Sequence, residues 1–393
     1  MTEQLKLKLN DSKATRWGAL VIVAFTMMAA YYVNDVVAPL KTMLETDLAW
    51  SSTDFGFFTG GYSFLNVFFL MLIWGGLILD RFGIRFTGKL ATILMVGGTA
   101  LEYYAMTGLA GADATLFGIN EIFGYKTGVF VAFAGYSIFG VGAEVAGITV
   151  SKIIAKWFKG KELATAMGVQ VALARIGSQA GYAVAIPLAR AFGISTPVLL
   201  GLVLLLGGMI AFFVFAVMDK KLDKQMEAAA IAAGTEDEEE KFSFKDVKNI
   251  LVNPGFWLIA LLCVLFYSCV FPFQKFASEL MIIKYGINEN VAGTFAGLPA
   301  LGALILTPVF GGFIDKRGKS ASIMLLGSAM LICVHFIYAI PDINYWLVAI
   351  VLMIILGIAF SLVPSAMWPA VAKIFPVSQL GTAYALIFWV QNW

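Results

Sequence analysis

Ten apolar runs divide this chain, each about as long as a helix that crosses a hydrocarbon layer, and that pattern leaves little else for it to be. They lie near residues 17–40, 55–79, 88–109, 127–151, 163–189, 196–218, 255–280, 291–314, 321–340 and 346–370, where one crossing needs about 20 residues. An eleventh begins near Gly381 and has only about thirteen residues before Trp393, too few to cross, so the chain is expected to stop within span eleven. With 60% of 393 residues hydrophobic and 13% charged, a soluble globular protein and a disordered one are both excluded. A net charge of +2 offers no basic field for nucleic acid. The single histidine, His335, argues against a histidine metal site, and Cys263, Cys269 and Cys333 lie in apolar runs without CxxC spacing, as packed thiols do. No cofactor or metal is implied. The polar start, MTEQLKLKLNDSKATRW, is not a signal peptide.

Charge then sets orientation. With the amino terminus in the cytoplasm, 21 of the 27 Lys and Arg fall on inner segments, five on outer ones, and Arg175 alone lies deep in a span. This is a positive-inside distribution, expected of a multi-pass plasma or inner membrane protein. The longest polar stretch, 219–250, reads as a solvated linker between residues 1–218 and 251–393. Its end, with Phe242, Phe244, Val247, Ile250 and Leu251, suits a short interfacial helix.

The two parts repeat. Gly76, Asp80, Arg81 and Gly83, followed by Arg85, recur as Gly311, Asp315, Lys316 and Gly318, at an offset of 235. Ala155-Lys156-Trp-Phe, with Glu162-Leu-Ala-Thr-Ala166, recurs as Ala372-Lys373-Ile-Phe with Gln379-Leu-Gly-Thr-Ala383, at an offset of 217. Residues 109–126 supply the 18-residue difference. The chain is thus an all-α duplication, two parallel six-helix units, the second incomplete. The repeated Gly-Asp-basic-Gly run resembles the signature loop of the major facilitator superfamily. There, glycines let helix ends pack closely and the charges form a cluster that breaks as the halves rock. Read without the family, the run is a tight turn with inner positive charges.

A narrower resemblance rests on Tyr31-Tyr-Val-Asn-Asp35-Val-Val-Ala-Pro39-Leu40, Tyr62-Ser63-Phe-Leu-Asn66, Gly140-Val-Gly-Ala-Glu144, Trp157-Phe-Lys-Gly-Lys-Glu-Leu163, Ala174-Arg175-Ile-Gly-Ser178 and Gln391-Asn392. These look like the lysosomal dipeptide transporter branch of that superfamily and its prokaryotic relatives. The resemblance implies facilitated movement of dipeptides without an obligatory driving ion, with Glu144 and Arg175 holding the dipeptide ends.

The residues make a separate case. Glu144 is eight residues from Lys152, about 12 Å along a helix, and Arg175 thirteen from Glu162, about 20 Å. Both are deep in apolar spans, where a charge costs about 2.5–3.5 kcal/mol and faces the bundle interior. Ser137 and Ser151 flank Glu144 at helical spacing, and Gln179 and Tyr182 flank Arg175. Two readings stand: a clamp for the ammonium and carboxylate of a zwitterion, or a salt bridge between spans four and five. Glu102, thirteen residues beyond Lys89, is a possible proton site or a packed acid. Asp35 suits the outer mouth, Lys275 and Glu279 form a helical pair at i,i+4, and Tyr31, Tyr182 and Trp368 are candidate cavity aromatics. The resulting expectation is a monomeric transporter of a small zwitterion in the lipid bilayer. Its rivals are a proton-coupled carrier of organic anions and a non-transporting sensor. An enzyme finds no nucleophile–base pair.

Overall fold

In hydrocarbon every backbone N–H and C=O must be satisfied within its own segment, which leaves these runs helical. The computed structural model describes residues 8–111, 114–158, 161–233, 244–375, 383 and 386–392. In chain order the helices are α1 (Lys13–Val36), α2 (Lys41–Asp47), α3 (Ser52–Phe68), α4 (Met71–Thr107), α5 (Thr127–Trp157), α6 (Leu163–Phe192) and α7 (Thr196–Ala233). There follow α8 (Phe244–Val252), α9 (Pro254–Ile283), α10 (Glu289–Ala296), α11 (Leu298–Arg317), α12 (Ser320–Ala339) and α13 (Trp346–Ile374). A hairpin of β1 (Glu121–Ile122) and β2 (Tyr125–Lys126) occupies the extra outer segment.

Local chemistry sets the ends. Ser51 and Asp54 form a reciprocal capping box at α3, and Asn253 caps α9 with Pro254 at its first position. Gly83 turns the chain at φ 74° inside α4, so its arm 71–82 completes span two after α3 and its arm 84–107 is span three. Its repeat partner Gly318 has φ 67°. Both occupy the left-handed region where a side chain is costly, so the repeat extends to backbone geometry. α8 fits the expected short helix, with Ile250 buried and Val252 exposed; Phe242 lies outside the described residues. α7 runs through the expected start of the linker to Ala233.

Among the described residues seven helical stretches are long and apolar enough to cross a membrane, or eight if the bent pair of α3 and α4 is one span. α6, which carries Arg175 and Gln179, is not among them. Helices approach through small residues: a Cβ on Gly98 would lie 2.4 Å from the Phe139 nitrogen, and one on Gly135 2.6 Å from the Gly98 oxygen. Such contacts lock α4 on α5 in the manner of close-packed membrane helices.

Among the described residues two large apolar cores result, with a small third cluster of Ile314, Ile323, Leu362 and Ala366. One is built from residues between Ala19 and Leu222. The other takes its residues from Ile250 to Ile387, plus Ala38 and Tyr182 from the first half. Those two mark the seam. The halves meet chiefly at the end of the bundle away from residue 13, here called the distal end. There Lys275 of α9 donates to the Asn34 carbonyl and to the Tyr136 hydroxyl at 3.1 Å, and lies 3.6 Å from Asp35. Lys41 pairs with Glu279 across the same seam, and Arg190 with Glu289 and with Asn290. The expected pair of Lys275 with Glu279 is therefore wrong: both side chains turn outward from their own helix to partners in the other half. Burial explains this, since a lysine removed from water needs every acceptor within reach.

Candidate functional site

Span four presents Glu144 to α3 and to the short described helical segment 386–392. The Tyr62 hydroxyl donates to Glu144 Oε1 at 3.0 Å, with the Asn392 side chain close to the carboxylate. Asn392 accepts from Ser63 Oγ at 3.4 Å and donates to the Phe388 carbonyl at 3.0 Å. Arg175 sits on aromatic faces, its guanidinium carbon 5.5 Å from the Tyr31 ring centre and 5.2 Å from that of Phe360. Each such contact is worth about 0.5–2 kcal/mol, enough together to offset much of the cost of a charge at that depth. Tyr31 is within electrostatic range of both Glu144 and Arg175. Tyr267 is within range of Arg175 and hydrogen-bonded to Trp368, which stacks on Phe388 at 4.8 Å.

This enclosure is drawn from both halves, and its two opposite charges do not pair: among the described residues no ion pair joins Glu144 to Arg175. Glu144 is held by a neutral donor and Arg175 by π faces. A carboxylate and a guanidinium so held keep hydrogen-bonding capacity for a third molecule. The serines expected to extend a polar stripe are otherwise engaged. Ser137 bonds back to the Phe133 carbonyl and Ser151 to that of Gly147.

Three other candidates lie elsewhere. Gln179 donates to the Thr294 carbonyl at 3.4 Å and Tyr182 to that of Gln274 at 3.2 Å, so both belong to the distal seam. Glu102 packs level with Gly135, nine residues or about 13 Å along α5 from Glu144. It is fully buried, among the described residues both carboxylate oxygens lack a hydrogen-bond partner, and Lys275 is within electrostatic range.

At the end near residue 13, Asp80 pairs with Lys152 at 2.9 Å. Arg85 pairs with Asp223 at 2.6 Å and lies 3.5 Å from Asp219. Lys156 bridges the same two aspartates, and Trp157 donates to Asp219 at 3.0 Å. The partners named here lie on α4, α5 and α7, the last where it runs into the linker, so among the described residues the cluster ties those three helices together. Arg81 lies over the Phe82 ring. The space beside Gly76 is open, and the close approach to Val145 is made by Gly75 instead. Lys316 is exposed in the last turn of α11, and the Asp315 side chain lies outside the described residues. Nearby, Arg16 pairs with Glu162 at 2.7 Å and Lys161 with Asp11 at 2.6 Å. These cations hold both carboxyls below the usual carboxylate range.

An enclosure holding two opposite charges between two repeated helical halves is a transporter's arrangement, and comparison with known proteins gives it a family. Residues 20–393 match the profile of the Major Facilitator Superfamily. The chain belongs to that superfamily. Among curated relatives, the human lysosomal dipeptide transporter MFSD1 is 28% identical over 96% of this chain and 77% of its own length. The chicken protein of that name is 32% identical over 66% of this chain and 58% of its own. Among solved structures, a D-xylose–proton symporter superposes with TM-score 0.67 at 16% identity, covering 96% of this chain and 87% of that one. A peptide transporter POT in complex with sulfate gives 0.66 at 14%, covering 95% and 86%. These likenesses show the fold.

As a major facilitator, the protein is a multi-pass membrane transporter of a small molecule. Phe360, Phe388 and Asn392 were not singled out as candidate site residues by sequence reasoning. Phe360 and Phe388 sit in unbroken apolar runs where no periodicity marks a cavity wall. Asn392 carried a signal only through the family-like segment that contains it.

Proposed function

We propose that this chain moves dipeptides or similar small zwitterions by alternating access, as a uniporter, and does no chemistry on them. The observation carrying the reading is that Glu144 and Arg175 share one aromatic enclosure without pairing with each other. The carboxylate would take the substrate ammonium from Tyr62 and Asn392, and the guanidinium fork would take its carboxylate. Tyr31, Tyr267, Phe360 and Trp368 would meet the side chains, with Gln179 and Tyr182 closing above them. The name of the MFSD1 relatives supports the substrate class, and the positive-inside count supports a cytoplasmic amino terminus. We assign residues 1–218 and 251–393 to the two halves, 219–250 to their connection, the plasma or inner membrane as location, and the monomer as transport unit. The signature loops around Asp80 and Asp315 act as the near-end gates.

The test is ligand-induced stabilisation of purified protein, which follows mass action on the folded state. Dipeptides should raise the melting temperature of the native chain and leave Glu144→Gln unmoved, with both proteins monodisperse. Dipeptide uptake by Glu144→Gln at the native rate would sink the clamp. The orphaned carboxylate of Glu102 favours a second reading, in which a proton at that site drives uptake.

A further inference from the structure

We propose that the distal segment 116–126, a bridged turn followed by the hairpin, is a membrane-interface anchor that seats Phe117 and Phe123 in the lipid bilayer. It rests first on backbone geometry. Leu116 and Ile119 exchange both backbone hydrogen bonds at 3.0 Å around Phe117-Gly118. Ile122 pairs with Tyr125 around Phe123-Gly124. Phe117 and Gly118 have φ of 54° and 80°, Phe123 and Gly124 of 53° and 82°. Two-residue turns with φ positive at both positions favour Asn or Gly at the first, and a bulky residue there is an outlier. Local structure therefore gives no reason for phenylalanine at either turn, and the same exception is made twice.

Exposure points the same way. Phe117 is 95% and Phe123 89% exposed, the highest values of any large hydrophobic side chain among the described residues. The segment beneath them is pinned. Lys126 donates to the Ala49 carbonyl at 2.6 Å, Thr127 Oγ to that of Ile119 at 2.8 Å, and Tyr125 stacks on Phe57 at 3.8 Å. A fixed platform thus presents two phenylalanines.

What lies against them follows from continuity. The Phe123 ring is 5.9 Å from Phe130, which is one turn into α5 and within the apolar run that begins at 127. From Phe130 the aromatic surface continues through Phe57 and Phe133 to Phe64 on α3 and α5. Through Phe123 the hairpin extends a face of the apolar helices at the end of span four, with the Phe117 turn next to it in the chain, and aromatic side chains favour the boundary where a span leaves hydrocarbon. Glu121, exposed between the two turns, serves as an internal reference.

The experiment replaces the three cysteines and attaches a spin label in turn at Phe117→Cys, Phe123→Cys and Glu121→Cys, in phosphatidylcholine liposomes. Collision rates are measured with oxygen, which partitions into lipid, and with a water-soluble nickel chelate. Labels at 117 and 123 should favour oxygen over nickel by several-fold relative to the label at 121. Equal nickel access at all three would overturn the proposal, as would low access to both reagents at 117 and 123, the mark of a protein partner. If the labels disturb the turns, Phe117→Asn with Phe123→Asn keeps residues suited to that backbone. A label at Ile119 should then shift towards nickel access, and an unchanged ratio there would also count against the anchor.

Discussion

Arg175 illustrates what a single side chain must satisfy at this depth. It carries a charge that hydrocarbon penalises, yet among the described residues it has no carboxylate partner; its stabilisation comes from Tyr31 and Phe360. Guanidinium suits both tasks assigned to it, since its plane lies on rings while its fork binds a carboxylate in two places. An ammonium does neither as well. Arg175→Lys should therefore keep the charge and lose the function: dipeptide affinity falls by about tenfold or more, equivalent to about 1.4 kcal/mol, with little change in folding. Thermal-shift titration of both proteins measures it, and native affinity in the lysine variant would show that charge alone matters. That Glu144 and Arg175 stand apart from the other charges was legible in the sequence, because two ionisable residues in long apolar runs have few explanations. Their separation was not. Spacing along a helix gives depth and face, while the intervening position of Tyr31 depends on how α1 packs against α6.

At the scale of elements the distal seam is the part most open to test. A Cβ on Gly293 would lie 2.1 Å from the Tyr182 carbonyl oxygen, a backbone atom that cannot swing aside. Gly293→Val should stop α10 from seating on α6 and hold the distal end apart, making a cysteine at Thr294 reactive to a water-soluble reagent while the helices stay folded. Gly177 provides the contrast. Its Cβ would lie 2.1 Å from the Met28 carbonyl, inside the first half, so Gly177→Val should lower the yield of folded protein instead. Equal effects of the two would deny the seam its role. At the opposite end, α1 is tethered to the start of α6 by Arg16 with Glu162 and, through Asp11, to Lys161. Both carboxyls titrate below their ordinary range in the folded chain. Folding stability from them is present above the unfolded carboxylate range and is lost as pH falls through the lower folded values. Melting temperature should thus drop on acidification below about pH 4.5, and by less in the Glu162→Gln, Asp11→Asn double variant.

The whole molecule was the most legible level: ten runs, two constant offsets and a charge asymmetry lead to a duplicated helical transporter before any contact is known. The seam was harder to foresee, since Lys275 and Glu279 at i,i+4 look self-sufficient and only burial between the halves explains why each reaches across to the other half. That seam bears on energetics. Opening the distal end removes Lys275 from Asp35, Asn34 and Tyr136 and leaves Glu102 without its nearby cation. A transporter coupled to protons would exploit this moment by protonating Glu102; a uniporter would let Lys275 return with no net exchange. The two differ in a measurable quantity. A zwitterion carries no net charge, so a membrane potential, worth about 2.3 kcal/mol per charge per 100 mV, does no work on it. Without a co-transported proton, a pH gradient does none either. Proteoliposomes loaded with this protein should take up dipeptide until internal and external concentrations are equal, whichever gradient is imposed. Glu102→Gln should reach the same level. Accumulation above the external concentration with an inward proton gradient, abolished in Glu102→Gln, would place that carboxylate on a proton path and replace uniport with symport.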